Sequence, residues 1–221
     1  MNIRSSLGII IRCPSLILDP SLAYLCKKER RASLLEAAAC IARQEGLAAT
    51  TVRRVAQVAG VAVGQVHHHF SSAAELRAQA YARVMKILKE QLDNDCQSLS
   101  ARERLTLFLI SPQDQESLMA IPLWHEAMLL TEQEPLMKSA FAASVADWHQ
   151  LVSSAIEYGR DTHEFIAGES AAHIAWRLIG LSSSMDAMSR LESLGLTSVC
   201  AEYNLNRAIQ NELYRKETSD V

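Results

Sequence analysis

An all-α fold is what this sequence predicts, on three observations. Apolar residues recur at three- and four-residue spacing from about residue 29 to residue 215. Strand-like alternation is scarce over the same stretch. Only 5 prolines interrupt 221 residues, 49% of them hydrophobic, which leaves ample length for a real core. No apolar run reaches the roughly 18–20 residues that a membrane span needs, and the chain reads as cytoplasmic. Five scattered cysteines (Cys13, Cys26, Cys40, Cys96, Cys200) include no CxxC pair. They read as reduced thiols, not as a disulfide framework.

Charge is unevenly placed. Residues 1–70 hold nine Lys and Arg against four Asp and Glu, so this stretch carries +5 and the rest of the chain −8. A basic head on an acidic body suits a protein whose head alone meets a polyanion.

Residues 1–26 read as a flexible extension. The apolar run Leu7–Ile11 is cut by Arg12, and Pro14 and Pro20 follow. A secretory signal needs a longer apolar core and a small-residue cleavage site. Packing of the extension on the body through Leu16, Ile17 and Leu18 is the alternative. Lys27, Lys28, Arg30 and Arg31 lead into a helix over about 29–45, with Leu34, Leu35, Ala38, Ile41 and Ala42 on its buried face and Gly46 as its stop.

Next, Thr50 or Thr51 caps a short helix whose apolar face is Val52, Val55, Ala56 and Ala59. Gly60 ends it, and a second short apolar period follows through Val63, Val66 and Phe70. Two short helices joined by a tight Gly turn match the helix-turn-helix, whose second helix enters the DNA major groove. A helical hairpin buried in a core is the plainer alternative. Ser72 and Glu75 then stand at capping-box spacing before a long helix to about Asp95. Beyond it the periodicity predicts helices over about 101–111, 115–131 (bent or restarted at Pro122), 135–159, 169–193 and 197–215, with Gly195 at a helix exit. The domain boundary falls near residue 75, giving a DNA-binding domain over 27–75 and a helical ligand-binding and dimerisation domain over 76–221.

The series Arg31, Leu35, Ala38, Gly46, Thr51, Val52, Val55, Ala56, Ala59, Gly60, Val61, Gly64, His69, Phe70, Ser72 and Leu76 resembles, in order and spacing, the DNA-binding head of the TetR family of bacterial transcriptional regulators. The resemblance covers about residues 30–77. It implies an all-helical homodimer with a three-helix head and a variable ligand-binding body. It also implies a repressor that leaves a palindromic double-stranded DNA operator when a small-molecule effector binds. Thr51, Arg53 and Arg54 would then lie near the DNA backbone. Ala62, Val63, Gly64, Gln65, His67 and His68 would supply base-edge and sugar-phosphate contacts, with Ser72 opening the next helix. Gln65 can pair with an adenine edge through its amide. Gly64 keeps the helix slim where it approaches DNA. Two residues depart from the family pattern: His67 stands where a Tyr is common, and Ala73 where a Lys is common. Weaker phosphate anchoring is expected there, offset by Lys27, Lys28, Arg30 and Arg31.

In the body, Met119, Trp124, His125, Met128, Trp148, Tyr158 and Trp176 are the expected pocket lining, with Glu126, His149 and His173 as further polar handles. The plainer reading makes the Trp and Met residues ordinary core. The last two helices are expected to form the dimer interface through Ala171, Ala172, Ala175, Leu178, Ile179, Leu181, Ser182, Ser183 and Met185; burial of that face within one chain is the alternative. Neither a metal site nor a cofactor is expected. His67, His68 and His69 point about 100° apart on a helix and cannot converge on one ion. The chain carries no GxSxG, P-loop or HExxH pattern, and the pairs His125–Glu126 and His163–Glu164 are too ordinary to mark a catalyst, so an enzyme is not expected.

Overall fold

The computed structural model describes residues 26–110, 115–191, 193 and 195–214, with the side chains of 115–119 excepted. Among these residues there are nine α-helices and no strand. They are α1 (Lys27–Glu45), α2 (Val52–Ala59), α3 (Val63–His69), α4 (Ala73–Asp95), α5 (Ala101–Leu109), α6 (Gln115–Leu130), α7 (Pro135–Asp161), α8 (Ala171–Ser189) and α9 (Ser198–Leu213). The all-α expectation holds, with local differences. Helix α6 continues through Pro122, which removes one intrahelical bond without ending the helix. Helix α8 stops at Ser189, so Gly195 (φ +63°) lies in the following loop and not at a helix exit. The expected amino-terminal extension, as far as residue 25, falls outside the described residues.

Contacts divide the chain into two units. The first runs to Val84 and includes Pro122–Lys138; the second comprises Met85–Ile121 and the chain from Ser139 onward. Residues 122–138, part of the stretch expected to form the body, thus group by contacts with the first unit. A helical period shows that a face is apolar, not which neighbour covers it.

The first unit buries Leu34, Ala38, Ile41 and Ala42 of α1, Val55 and Ala56 of α2, Val66 of α3, and Leu76, Ala80 and Tyr81 of α4. From its later segment come Leu123, Ala127 and Met137. The turn between α1 and α2 is built without slack. Gly46 takes φ +87°, outside what a side chain tolerates well, and its N–H donates to the Ala42 carbonyl. Of the two threonines weighed as caps, Thr51 is the one, accepting from the Arg54 N–H at 3.1 Å. Thr50 is buried and donates its hydroxyl to the Gly46 carbonyl at 3.0 Å. The Leu47 N–H donates to the Glu126 carboxylate at 2.6 Å.

In the second unit α5 is held at both ends by side chains from elsewhere. Ala101 and Arg102 donate their N–H groups to the Glu164 carboxylate at 2.8 and 2.9 Å. At the other end, the Phe108 and Leu109 carbonyls accept from the Trp148 indole at 2.8 Å and the Ser182 hydroxyl at 2.5 Å. These satisfy groups that a helix leaves open at its ends. Leu105, Phe108, Val152, Ile156, Ile174, Leu178, Leu205 and Ile209 fill the core between α5, α7, α8 and α9.

The expectation of five reduced thiols does not hold. Cys40 is disulfide-bonded, while Cys26, Cys96 and Cys200 are free. Scattered spacing carries no information on which cysteines meet in space.

A Cβ on Gly46 would lie 2.7 Å from a Glu126 carboxylate oxygen. Gly46→Ala is therefore expected to lower the stability of the first unit by about 1–3 kcal/mol from backbone strain alone, and further through this clash. Glu126→Ala leaves the Leu47 N–H unpaired and costs about 1–3 kcal/mol. Denaturant titration of both single variants and the double variant should show the double costing less than the sum, because Glu126→Ala also removes the clash.

Candidate nucleic-acid interface

Helices α2 and α3 meet through Gly60, a left-handed residue (φ 64°, ψ 33°) whose N–H donates to Ala56 and Gln57 carbonyls. Val61 donates to the Ala56 carbonyl at 3.0 Å and closes the turn. Helix α3 then turns one side inward, burying Val66, while Phe70 is buried just beyond its end. Its other side is open: Ala62, Val63, Gly64, Gln65, His67 and His68 are all exposed. A Cβ added at Gly64 would meet nothing within 4 Å. Internal packing therefore gives no reason for a glycine there.

Val63, which falls both in the apolar period and among the expected base contacts, is 42% exposed. Helix α3 has seven residues, and one inward stripe on so short a helix takes only Val66.

The cations separate into two groups. Arg54, expected near the DNA backbone, is held by the Glu45 carboxylate through Nε at 3.0 Å and Nη2 at 2.7 Å, and donates to Gln57 at 3.0 Å. The Arg54 hydrogen bond holds the Glu45 carboxyl below the ordinary carboxylate range. Arg31, expected to reinforce phosphate contacts, donates to Gln79 at 2.7 Å, pairs with Glu75 at 3.4 Å and lies 4.9 Å over the Phe70 ring. Arg77 pairs with Glu134, and Arg83 with Glu36 at 2.6 Å. By contrast Arg53, Lys27 and Lys28 are exposed, and Arg53 bonds no side chain among the described residues.

Ser72 opens α4 by accepting from the Glu75 N–H at 3.0 Å. The Glu75 carboxylate reaches one residue beyond the expected box, accepting from the Ser71 N–H at 2.7 Å and the Ser71 hydroxyl at 2.6 Å. Those bonds, with Arg31 and Gln79, hold its carboxyl below the usual range despite burial.

The expected ligand-lining residues are divided between the two units. Trp124, His125 and Met128 belong to the first unit; Trp148, Tyr158 and Trp176 belong to the second. The Met119 side chain lies outside the described residues. Met128 is 55% exposed. Within the second unit the three rings are engaged separately. Trp148 bonds the Phe108 carbonyl, the Arg104 guanidinium sits 3.8 Å over Tyr158, and Trp176 stacks on His149 at 4.2 Å. A cavity of about 50 Å³ between α5, α8 and α9, bordered by Ser182, Asp186 and Glu202, has room for a few waters and not for a drug-sized ligand. The carboxylates of the two ordinary His–Glu pairs are structural: Glu126 bonds the Leu47 N–H and Glu164 caps α5.

His69 is the one imidazole of the triplet turned partly inward, and its Nδ1 is buried with no hydrogen-bond partner among the described residues. Burial first, then the positive neighbours His68, Lys27, Arg31 and Arg30, push its pKa below the ordinary 6.5. The folded state thus binds fewer protons than the unfolded state between that lowered value and 6.5. Stability of the first unit should be full above pH 6.5 and fall as pH drops below it. His69→Gln should remove that decline. Denaturant midpoints at pH 7.5 and 5.5 for both proteins check this; an equal acid loss in the variant refutes it.

Residues 34–80 match the family of bacterial regulatory proteins, tetR family. Over 47 residues, 21% of this chain and 24% of the relative, the chain is 49% identical to the HTH-type transcriptional repressor KstR2 of Mycobacterium tuberculosis. It is 48% identical over 46 residues to KstR2 of Rhodococcus jostii, covering 22% of that protein. The match thus spans about a quarter of the curated relatives' length. Solved structures align over much more. The TetR-family regulator of Cytophaga hutchinsonii has 17% identity and a TM-score of 0.71, over 87% of this chain and 99% of that one. A transcriptional regulator of Saccharomonospora viridis in complex with choline has 18% identity and a TM-score of 0.70, over 86% and 100%. At these identities the likeness is one of fold. The head geometry and the match over residues 34–80 together identify a TetR-type DNA-binding region over that part of the chain.

Proposed function

We propose that this chain is a cytoplasmic DNA-binding transcriptional regulator, a homodimeric repressor that leaves a palindromic operator when a small-molecule inducer binds its body. The observation that carries the reading is the outward side of α3, where exposed Ala62, Val63, Gln65, His67 and His68 surround a glycine that internal packing does not require. A side chain at residue 64 would project toward whatever α3 meets. Thr51 and Arg53 flank that face on α2, and Ser72 begins α4 beside it. In this reading they set register on phosphates while α3 meets base edges.

One such head grips few base pairs, so two are needed on a twofold site. The face first expected to make the dimer is largely occupied: Ala171, Ala175, Leu178, Ile179 and Ser182 are buried in the second unit's own core. Another stripe of α8 and α9 is exposed instead, with Trp176 at 50%, Val199 at 74% and Tyr203 at 64%. Gly180, between Trp176 and Met188 on α8, has open space where a Cβ would lie. A second copy packed against this stripe fits the reading best, since an isologous contact repeats the same patch on both partners. For the inducer, only its class carries over from the choline-bound regulator of like fold: a small molecule. Its binding would shift the population toward a form in which the two heads no longer match successive major grooves.

Arg53→Ala should weaken operator binding and flatten the salt dependence by about 0.9 in log–log slope, with thermal stability unchanged. Arg54→Ala should leave that slope in place, because the Glu45 clamp already holds its charge, and should change thermal stability little. Anisotropy titrations over a salt series, with melting curves alongside, separate the two. Equal effects of both variants on the slope would contradict the assignment. For the dimer, Tyr203→Arg should yield monomers in sedimentation velocity and cost operator affinity in parallel. An unchanged sedimentation coefficient would move the interface elsewhere.

A further inference from the structure

The residues that open a recognition helix reach base edges, while later residues and the flanking helices meet sugar and phosphate. Here the opening residues are Ala62, Val63, Gly64 and Gln65, all exposed. No Lys or Arg lies among them or anywhere in α3; the exposed cations of the first unit that bond no side chain sit outside it, Arg53 among them. Guanine is read chiefly by Arg or Lys reaching O6 and N7. The adenine edge suits a side-chain amide, and the thymine C5-methyl suits an apolar group.

Val63 is the telling position. A β-branched residue loses rotamer freedom in a helix, and this one gains little burial in return, being 42% exposed. Val63 and Gln65 are both exposed but, two residues apart, flank the open side of α3 from opposite edges. The Gln65 side-chain amide bonds no residue among the described ones, so both its carbonyl and its NH2 are available. That amide can accept from adenine N6 and donate to adenine N7. We infer that the half-site is read as neighbouring A·T pairs, with Gln65 on an adenine edge, Val63 on a thymine methyl, and no guanine anchored by the opening turn of α3. The inference rests on the DNA-binding reading above and adds the base class that the head selects.

The test uses the full chain and a randomised duplex library. Selection should enrich a palindrome whose half-sites carry A·T pairs at their most constrained steps. Deoxyuridine in place of the enriched thymine lacks the C5-methyl; it should weaken wild type several-fold and leave Val63→Ala unaffected. Replacing the enriched adenine by 7-deazaadenine removes N7; it should weaken wild type by roughly 5- to 100-fold and leave Gln65→Ala unaffected. Both variants alter exposed side chains, and circular dichroism confirms that they fold. Enrichment of a palindrome with guanine at its most constrained steps overturns the inference and leaves the DNA-binding reading intact. So does an unchanged base preference in both variants. No enrichment of any duplex brings down the DNA-binding reading and this inference with it.

Discussion

Helix α3 is seven residues long, and a helix that short does not hold together in water. Everything in the first unit can be understood as supplying from outside the order that α3 lacks within. Val66 anchors its inner side, and Phe70, buried beyond its end, donates its N–H back to the Val66 carbonyl at 3.0 Å. The left-handed Gly60 and the Val61–Ala56 bond set where it begins. Because these supports act on one side and on the ends, the other side carries no structural duty. Ala62, Val63, Gly64, Gln65, His67 and His68 are free to vary without loosening the fold. That freedom is the condition for a reading surface.

Charge follows the same division of labour. The +5 of the first 70 residues looks like a surface made for a polyanion. The structure shows part of it committed inward. Arg31 and Arg54 face carboxylates of the same unit, Glu75 and Glu45, and past residue 70 Arg77 and Arg83 face Glu134 and Glu36. Partly exposed pairs of this kind contribute little stability one by one. Their value lies in orientation: Arg54 joins the end of α1 to α2, and Arg31 joins α1 to α4 while covering Phe70. The charge that remains turned outward includes Arg53, Lys27 and Lys28. A net-charge count taken from sequence therefore overstates how much of the head meets phosphate.

Much of this was legible in the residues. Helix positions, the Gly60 turn, the Ser72 cap and the inward role of Val66 follow from local rules of period, capping and φ > 0, which act over a few residues. What was not legible is what depends on partners far along the chain. Nothing near Leu47 indicates that its N–H is met by Glu126, 79 residues away. Glu126, expected as a polar handle of the pocket, and Glu164, noticed only as the neighbour of a histidine, both turn out to accept from backbone N–H groups. Trp148, Tyr158 and Trp176 share a residue class but face three different partners. Val63 shows the limit of periodicity from the other side. An apolar residue in phase with a core stripe points outward when the helix is too short to present more than one residue inward. On α8 the same ambiguity assigned Ala175 and Leu178 to a dimer face when they belong to the unit's own core.

The first unit is also not contiguous, and this bears on how the head is stabilised. Residues 26–84 contain α1, α2, α3 and the first part of α4, the whole helix-turn-helix by motif. Yet Leu123, Ala127 and Met137 are buried in that unit, and Glu126 satisfies the N–H that follows the strained Gly46. Glu134 pairs with Arg77 of α4 from the same segment. A turn with φ +87° at its start and an open amide at its next residue is where a small helical domain would fray first. The chain closes that point with a carboxylate from much later in its length. The motif is local, then, but the rigidity that lets α3 hold a fixed face is not. It is supplied by apolar burial and two carboxylates from Pro122–Lys138, so any account of the head that stops at residue 84 omits part of what keeps its geometry.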